Sequence, residues 1–198
     1  MSFIFAALIG YLAGSIPFGL VVTRLAGLGD IREIGSGNIG ATNVLRTGRK
    51  DLALATLLLD GLKAGLAVLV FSMLFDRQAG LIAGAFAFLG HCYPVWLKFK
   101  GGKGVATYAA LLAVASWKAF IVGLPIWIGI FLLTRISSLA ALLAAGCVPI
   151  GAFLLGETEF AVILLFILSI LVFWTHRANI GRLLKGVEPR FGAPKGKP

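Results

Sequence analysis

Three polar segments of the sequence combine glycines with basic, hydroxyl and amide side chains. They are residues 35–46 (GSGNIGATNVLR), 90–104 (GHCYPVWLKFKGGKG) and 174–188 (WTHRANIGRLLKGVE). Glycines accept positive φ and allow backbone N–H groups to converge on an anion. Arginine adds a bidentate grip on phosphate, and lysine adds a compact positive charge. The three segments therefore indicate that the chain binds phosphate or a similar anion.

The first segment places glycines at 35, 37 and 40, and Arg46 follows them. This spacing matches the Gly-x-Gly-x-x-Gly fingerprint of dinucleotide-binding proteins, but that fingerprint needs a preceding strand and a βαβ unit. An apolar run precedes it here, so we reject that interpretation. If residues 41–45 begin a helix, its N-terminus would add positive potential to the loop. The alternative is an ordinary loop between helices, with glycines at its turns.

The second segment contains Gly-Gly-Lys-Gly at 101–104, which resembles a phosphate cradle with one ammonium among bare backbone amides. It is not a Walker A motif, because Leu97 occupies the place of that motif's first glycine. Lys98 and Lys100 are better interpreted as surface residues that meet lipid headgroups. Lys103, which stands between glycines, is the better candidate for function.

The two histidines lie at the edges of these segments. His91 is inside an apolar run, where it is a satisfied core histidine, a proton carrier or an anchor for the following loop. If the last helix continues beyond His176, then His176, Asn179 and Lys185 lie near one face. Flanking positive charge and an interfacial Trp174 explain part of this segment, but they explain His176 and Asn179 poorly.

One pair of opposite charges, Asp60 and Lys63, stands three residues apart within an apolar run. Charges at membrane depth are costly and are usually paired or functional. We interpret the two residues as a structural ion pair. The alternative is that Asp60 orients a lysine or arginine of the site.

Long apolar runs must position these segments. The chain is 59% hydrophobic and 13% charged, with a mean hydropathy of +0.98, whereas a soluble domain carries about 25% charged residues. Seven apolar runs are apparent, at 3–25, 52–75, 80–97, 105–116, 119–134, 137–155 and 160–175. The sequence predicts an all-α, polytopic bundle of seven transmembrane helices. We expect one domain over 1–198, with a flexible tail at about 191–198.

The fourth run is short for a membrane span. As a helix it would rise only about 18 Å, against a hydrocarbon core of about 30 Å. It is a half-helix, an offset span or part of a longer helix that begins at 101–104.

The basic residues indicate the orientation. If the N-terminus lies outside and all seven runs cross, the outer loops hold only Arg77 and Lys118 of the 18 lysines and arginines. The positive-inside rule expects this asymmetry, which places the C-terminus and the polar stretches at 27–51, 98–104 and 177–198 on the cytoplasmic side. The net charge of +10 is therefore interpreted as topology signal and anion-binding chemistry, and we expect no nucleic-acid partner. No basic residue precedes Arg24, so the first run is not an ordinary cleaved signal.

Several kinds of chemistry are missing from the sequence. Cys92 and Cys147 form no metal-ligand spacing, and no Asp-rich repeat suggests metal-dependent phosphoalcohol transfer. Neither His91 nor His176 begins the His-x4-Asp motif of the common acyl-CoA acyltransferases. We expect neither a metal nor a cofactor.

Taken together, the polar segments resemble the bacterial acyl-phosphate:glycerol-3-phosphate acyltransferase family of integral membrane proteins. The resemblance spans the chain and is carried by residues 15–19, 24, 30–32, 35–46, 90–94, 99–107, 176–183 and 186–188. It implies transfer of a fatty acyl group from acyl phosphate to the 1-position of glycerol 3-phosphate, the first acylation step of phospholipid synthesis. The products would be lysophosphatidic acid and inorganic phosphate, without an acyl-CoA or acyl-carrier-protein donor.

The resemblance also implies a setting and partners. We expect a multi-pass protein of the bacterial cytoplasmic (inner) membrane, in contact with membrane lipids and with its active site facing the cytoplasm. Its substrates would be glycerol 3-phosphate and acyl phosphate, and it would interact with the soluble enzyme that forms acyl phosphate.

The matching motifs supply the expected site residues. The expected catalytic residues are Ser36, Arg46, Lys103 and His176. The expected substrate-binding residues are Gly35, Gly37, Asn38, Thr42, Asn43, His91, Gly101, Gly102, Gly104, Thr107, Arg177, Asn179, Arg182 and Glu188.

The expected mechanism is direct attack by the 1-hydroxyl of glycerol 3-phosphate on the acyl carbonyl. Arg46, Lys103 and one of Arg177 or Arg182 would hold the phosphates, and backbone amides at 36–38 or 101–104 would face the oxyanion. A histidine or a substrate phosphate would take the proton. Ser36 is expected to form a hydrogen bond, since no adjacent base is evident that would make it a nucleophile.

Three other functions remain open from the residues alone. A small organic-anion or phosphate transporter would place its site near the midplane, often in inverted repeats, whereas the polar chemistry here gathers on one side. A lipid-binding scaffold would tolerate loss of Lys103. An acyl-CoA-dependent enzyme would be distinguished by competition between donors.

Overall fold

Helices account for the regular structure of the chain. The computed structural model describes residues 1–192, and no strand occurs within that range. The α-helices are α1 (Ser2–Gly14), α2 (Phe18–Leu25), α3 (Ala41–Val44), α4 (Lys50–Leu74), α5 (Arg77–Cys92), α6 (Val105–Ala115), α7 (Trp117–Thr134), α8 (Ser137–Leu154), α9 (Glu159–Thr175) and α10 (Arg177–Leu184). Short 3₁₀ turns cover Ile31–Glu33, Leu45–Thr47 and Val95–Leu97. The all-α prediction is confirmed.

Several helical stretches are long and apolar enough to cross a bilayer. Among the described residues, five stretches meet this condition, and the pair formed by α9 and α10 adds a sixth if its two helices, bent by 61°, count as one span. The five stretches are Ser2–Leu25, Lys50–Leu74, Arg77–Leu97, Trp117–Thr134 and Ser137–Leu154. The chain is thus a multi-pass membrane protein. That seven helices cross, and in which direction, stays a prediction.

The short fourth run forms α6, which begins at Val105 and ends at Ala115. Residues 101–104 lie outside it as irregular backbone, so a longer helix that begins in that loop is excluded. A half-helix and an offset span remain, since the helix rises only about 16 Å.

The chain divides into two compact units: unit 1 is Met1–Ala115, and unit 2 runs from Ser116 onward. In unit 1, α1 packs against α5 with almost no side chain between them. A Cβ on Gly10 or Gly14 would collide with the backbone of Ala83 or Ala87. Small residues allow such close approach, which is how helices associate in lipid, where burial of apolar surface gives little drive.

The breaks in unit 1 follow its prolines. Pro17 separates α1 from α2. Proline has no N–H to donate within a helix, so α1 cannot continue through it. Pro94 follows the end of α5, where Tyr93 has left helical geometry with a φ of −131°. Both breaks leave backbone carbonyls without helical hydrogen bonds. At the first break the Ile16 carbonyl accepts from Lys63, and at the second the carbonyls of His91 and Cys92 accept from the loop at 101–104.

In unit 2, α8 packs against both α7 and α9. The Ser169 hydroxyl donates to the Ala145 carbonyl at 2.7 Å across the α8–α9 contact. At the start of the predicted tail, the Phe191 N–H donates to the Arg135 carbonyl at 2.7 Å. The rest of that predicted tail, residues 193–198, lies outside the described residues.

Candidate functional site

Asn43 holds the first polar loop together from inside. Its side-chain N–H groups donate to the carbonyls of Ile31 and Ile34, both at 2.9 Å. Its Oδ1 accepts from the Ser36 N–H at 3.1 Å and lies 3.4 Å from the Ser36 hydroxyl. The residue is only 2% exposed. One buried side-chain amide therefore holds Ile31, Ile34 and Ser36 in place. Asn43 itself lies in the short helix α3, which begins at Ala41 as predicted.

Arg46 lies against the glycine backbone of the same loop. A Cβ built on Gly35, where φ is +59°, would lie 2.8 Å from Arg46 Cδ and 2.9 Å from Arg46 Nη1. Gly35 is therefore needed both for its φ and for the space that the guanidinium uses. Gly35, Ser36 and Arg46 are all exposed. The structure thus brings four predicted site residues together, with the Arg46 guanidinium beside the backbone of Gly35.

The other predicted residues of this loop surround that arrangement. Asn38 accepts the Gly40 N–H on its Oδ1 at 2.9 Å, which stabilises a tight turn. Gly37 has a φ of +68°, and both Gly37 and Thr42 are exposed. Such a surface of glycines, hydroxyls and one guanidinium is chemically suited to an anion.

We expect Asn43→Asp to unfold the first loop, although the two side chains have nearly the same shape. The change replaces the donating Nδ2 with an oxygen that faces the carbonyls of Ile31 and Ile34. The expected loss is about 2 to 4 kcal/mol, because two buried carbonyls lose their donor. Thermal unfolding in detergent measures it. Asn38→Asp is the matched control, since Asn38 only accepts in this contact; equal melting temperatures for the two variants would contradict the assignment.

The second polar loop is tied to the end of α5. The Gly101 N–H donates to the Cys92 carbonyl at 3.0 Å, and the Gly102 N–H donates to the His91 carbonyl at 2.9 Å. Both carbonyls belong to the last turn of α5, where helical partners run out. The loop therefore caps the helix and holds Lys103, which is half-buried, immediately before α6.

Two further predicted residues stand at the start of α6. Gly104 has a φ of +80°, and a Cβ there would collide with the Phe88 ring. Thr107 is fully buried, and its hydroxyl has no hydrogen-bond partner among the described residues. Its predicted contact with substrate stays a prediction.

The predicted Asp60–Lys63 ion pair is confirmed, and it includes a third member. Lys63 Nζ lies 2.9 Å from Asp60 Oδ1 and 2.9 Å from His91 Nδ1. All three side chains are buried. Sequence reasoning treated His91 separately from the pair, because nothing in the sequence indicates that α4 and α5 meet at these positions.

In unit 2, Glu188 gathers three donors. Its Oε1 accepts from the Ser138 hydroxyl at 2.7 Å and from Asn179 Nδ2 at 2.5 Å, and its Oε2 accepts from Arg182 Nε at 2.6 Å. Burial disfavours the carboxylate, but these hydrogen bonds outweigh burial and lower the pKa of Glu188 below its usual value. Three predicted binding residues thus form one cluster, with Ser138 as a member that the sequence did not reveal.

His176 marks a bend, so the last helix does not continue straight beyond it, and the condition for placing His176, Asn179 and Lys185 on one face is not met. α9 ends at Thr175, α10 begins at Arg177, and the two are bent by 61°. The buried His176 has its Nδ1 2.8 Å from the Val172 carbonyl. A carbonyl only accepts, so Nδ1 carries a proton. Arg177 turns back to donate to the Trp174 carbonyl at 3.0 Å, and its guanidinium lies over the Trp174 ring.

The lowered pKa of Glu188 gives a testable pH dependence. A carboxylate with a lowered pKa contributes stability above its unfolded pKa of about 4.3 and loses it as pH falls through the folded pKa. Glu188→Gln is expected to lower the melting temperature at pH 7 and to reduce its further fall in acid. Melting curves of both proteins between pH 7 and pH 3 measure this. Asp51→Asn, at a solvent-exposed ion pair with Arg49, serves as the control; parallel curves for wild type and Glu188→Gln would refute the prediction.

A family model described as glycerol-3-phosphate acyltransferase matches residues 4–186. The chain belongs to this family. A glycerol-3-phosphate acyltransferase of Hyphomonas neptunium is 67% identical, over 96% of this chain and 93% of that protein. One from Maricaulis maris is 60% identical, over 96% of this chain and 88% of that protein.

Solved structures of a family member agree with the fold. The crystal structure of PlsY, an integral membrane glycerol 3-phosphate acyltransferase, in its glycerol 3-phosphate form has a TM-score of 0.91 to this chain. It is 38% identical, covering 97% of this chain and 96% of that one. The lysophosphatidic acid form of PlsY gives a TM-score of 0.89 at 37% identity, with the same coverage of both chains.

Within this glycerol-3-phosphate acyltransferase family member, the predicted site residues form separate groups. Unit 1 carries the Asn43–Arg46 loop and the loop at 101–104, and unit 2 carries the Glu188 cluster with His176 beside the bend. Arg177 contacts Trp174 and is not part of the Glu188 cluster. The substrate contacts of all these residues stay predictions.

Proposed function

We propose that this chain transfers a fatty acyl group from acyl phosphate to the 1-hydroxyl of glycerol 3-phosphate. The products are lysophosphatidic acid and inorganic phosphate, and the reaction is the first acylation step of phospholipid synthesis. One observation carries the proposal: glycine loops bearing Arg46 and Lys103 adjoin membrane-spanning helices in a member of the glycerol-3-phosphate acyltransferase family. Both substrates carry phosphate, and the acyl donor also needs an apolar environment.

The reaction needs no covalent intermediate on the enzyme. The 1-oxygen of glycerol 3-phosphate bonds to the acyl carbonyl carbon, and the bond from that carbon to the phosphate oxygen breaks. The hydroxyl proton passes to His176 or to a substrate phosphate, whose second pKa is about 6. Arg46 and Lys103 offset charge on the phosphates and on the oxyanion. The N–H groups of Ser36, Gly37, Gly101 and Gly102 already donate within the protein, to Asn43 Oδ1 and to the carbonyls of Ile34, Cys92 and His91, so the expectation that these amides face the oxyanion is not met.

Ser36 has a hydrogen-bonding role in this mechanism. Its hydroxyl lies 3.4 Å from Asn43 Oδ1, an amide oxygen that cannot act as a general base. Activation of a serine needs a base within hydrogen-bonding distance. A wild-type species acylated on Ser36, trapped and identified by mass spectrometry, would overturn this assignment.

We extend the proposal to the setting of the reaction. The protein forms one functional domain of the bacterial cytoplasmic membrane, with its N-terminus outside and its polar loops in the cytoplasm, where the soluble acyl-phosphate-forming enzyme supplies the donor. The asymmetric distribution of basic residues supports this orientation. A single cysteine placed at Lys100 should react with a membrane-impermeant thiol reagent only after the cells are opened, and one placed at Lys118 should react in intact spheroplasts.

Competition between donors tests the proposed function. Purified protein in detergent receives labelled glycerol 3-phosphate with acyl phosphate, with acyl-CoA, or with both. We expect labelled lysophosphatidic acid from acyl phosphate alone, without inhibition by excess acyl-CoA. Formation of lysophosphatidic acid from acyl-CoA would instead identify acyl-CoA as the donor. Uptake of unchanged glycerol 3-phosphate into liposomes, without product, would assign a transporter.

A further inference from the structure

Asp60, Lys63 and His91 form a buried cluster of ionisable groups within unit 1. Lys63 Nζ donates to Asp60 Oδ1 and to the Ile16 carbonyl, both at 2.9 Å, and it lies 2.9 Å from His91 Nδ1. The cluster joins α4 to the end of α5 and to the break between α1 and α2. The mechanism above does not use Asp60 or Lys63.

The number of N–H groups on the Lys63 ammonium determines the protonation state of His91. An ammonium has three N–H groups and no acceptor, and the three neighbours of Lys63 use all of them. His91 Nδ1 also lies 3.5 Å from Asp60 Oδ1, but its shorter contact is with the charged ammonium, which can only donate. With Lys63 charged, Nδ1 therefore accepts, and the imidazole is neutral with its proton on Nε2. Asp60 balances the charge of Lys63. Lys63 therefore holds the His91 ring at Nδ1, and the Nε2 edge of the ring faces away from the ion pair.

That edge lies against the second polar loop. A Cβ on Gly102 would collide with His91 at Nε2, Cε1 and Cδ2, so the ring touches the glycine backbone directly. The Gly102 N–H also donates to the His91 carbonyl at 2.9 Å. His91 thus contacts Gly102 through both its ring and its backbone, and Lys103 is the next residue.

We propose that Asp60 and Lys63 are positioning residues that act through His91 to set the place of residues 101–104 and hence of the Lys103 ammonium. This inference rests on the proposed function, since it assumes that Lys103 meets a phosphate-bearing substrate. It assigns His91 to positioning, with no proton transfer by its ring during turnover.

If Asp60, Lys63 and His91 only stabilised the fold, apolar residues would do so at a lower cost in free energy. Burying two charges and an imidazole costs desolvation free energy, and well-packed apolar residues often serve stability equally well or better. Charges within a membrane-spanning segment carry a further cost. The cluster instead provides directional contacts that apolar side chains cannot give, and these contacts end at Gly102.

His91→Asn separates anchoring from packing. The asparagine Oδ1 occupies nearly the place of Nδ1, so it still accepts from Lys63, but no atom replaces the ring edge at Gly102. We expect a melting temperature near that of wild type. We expect KM for glycerol 3-phosphate or acyl phosphate to rise about tenfold, the equivalent of about 1.4 kcal/mol of binding.

Asp60→Leu/Lys63→Met removes both charges together, which avoids a lone buried charge. This double variant should also fold and should also raise KM, because the His91 ring loses its anchor. Ser169→Ala is the control: it removes a buried hydrogen bond of 2.7 Å between α9 and α8 in unit 2. It should alter melting temperature without altering either KM.

The outcomes separate this inference from the proposed function. Unchanged KM values in both cluster variants, with only a smaller active fraction, would overturn the inference and leave the proposed function intact. Loss of folded protein in both variants would also overturn it, since the cluster would then be structural. Wild-type protein that forms no lysophosphatidic acid would overturn the proposed function and the inference with it.

Discussion

Lys103→Ala is expected to lower kcat/KM at least about 100-fold while the protein still inserts and folds. The ammonium stands between Gly102 and Gly104, on a loop whose backbone is fixed against the end of α5. A charge held in place before the reaction stabilises the departing phosphate without reorganisation, and alanine removes it. Steady-state kinetics of purified protein, with melting temperature as the check on folding, measures the effect.

Two matched variants make the Lys103 prediction sharper. Lys100→Ala removes a charge three residues away, at an exposed position assigned to the membrane surface, and it should retain nearly full activity. Lys103→Arg keeps the charge but changes its size and geometry, and it should be intermediate. Near-normal activity of Lys103→Ala would remove Lys103 from the site.

Gly102→Ala is expected to lower kcat/KM about 100-fold through geometry alone, because displacement of a catalytic loop by about 1 Å has effects of this size. Its Cβ would collide with the His91 imidazole, which Lys63 holds in place and which cannot swing away. The loop must therefore move, and Lys103 moves with it. Kinetics of the purified variant measures the loss.

The control for Gly102→Ala is Gly129→Ala, within α7. A Cβ at Gly129 has no atom within 4 Å, so this change should leave activity and folding intact. Adding His91→Ala to Gly102→Ala makes room for the new methyl group. Partial recovery of activity in that double variant is expected, whereas strictly additive losses would contradict the contact between the two residues.

Much of the fold could be predicted because lipid imposes a simple rule on the sequence. Every backbone group in the hydrocarbon must be satisfied within its own segment, so each long apolar run becomes a helix. The ion pair of Asp60 and Lys63 followed from the same reasoning, since a lone charge in such a helix is costly. The break within the first run was also visible in the sequence as Pro17, although we predicted one continuous run there.

Other features depend on contacts that the sequence does not encode locally. The bend of 61° at His176 has neither proline nor glycine at its centre, so no local residue type signals it. Ser138 meets Glu188 from 50 positions away. His91 joins Lys63 from 28 positions away, across two helices. Such pairings arise from helix packing, which hydrophobic periodicity alone does not specify.

The sequence indicated where the candidate site lies, but not which side chains contact its glycines. The glycines at 35, 101 and 102 signalled anion-binding loops, because glycine lets backbone N–H groups converge on an anion. What the sequence did not reveal is how those glycines are used. Gly35 makes room for Arg46, and Gly102 makes room for His91, so each glycine positions a side chain as well as a backbone amide.

The proposed acyl transfer is tested most directly by measuring both products in one reaction. Purified protein receives acyl phosphate and glycerol 3-phosphate, and inorganic phosphate and lysophosphatidic acid are measured over time, beside Lys103→Ala. If the proposed transfer occurs, both products form in equal amounts with wild type, and both are lost in the variant. Phosphate release without lysophosphatidic acid, or neither product from protein shown to be folded, would contradict it.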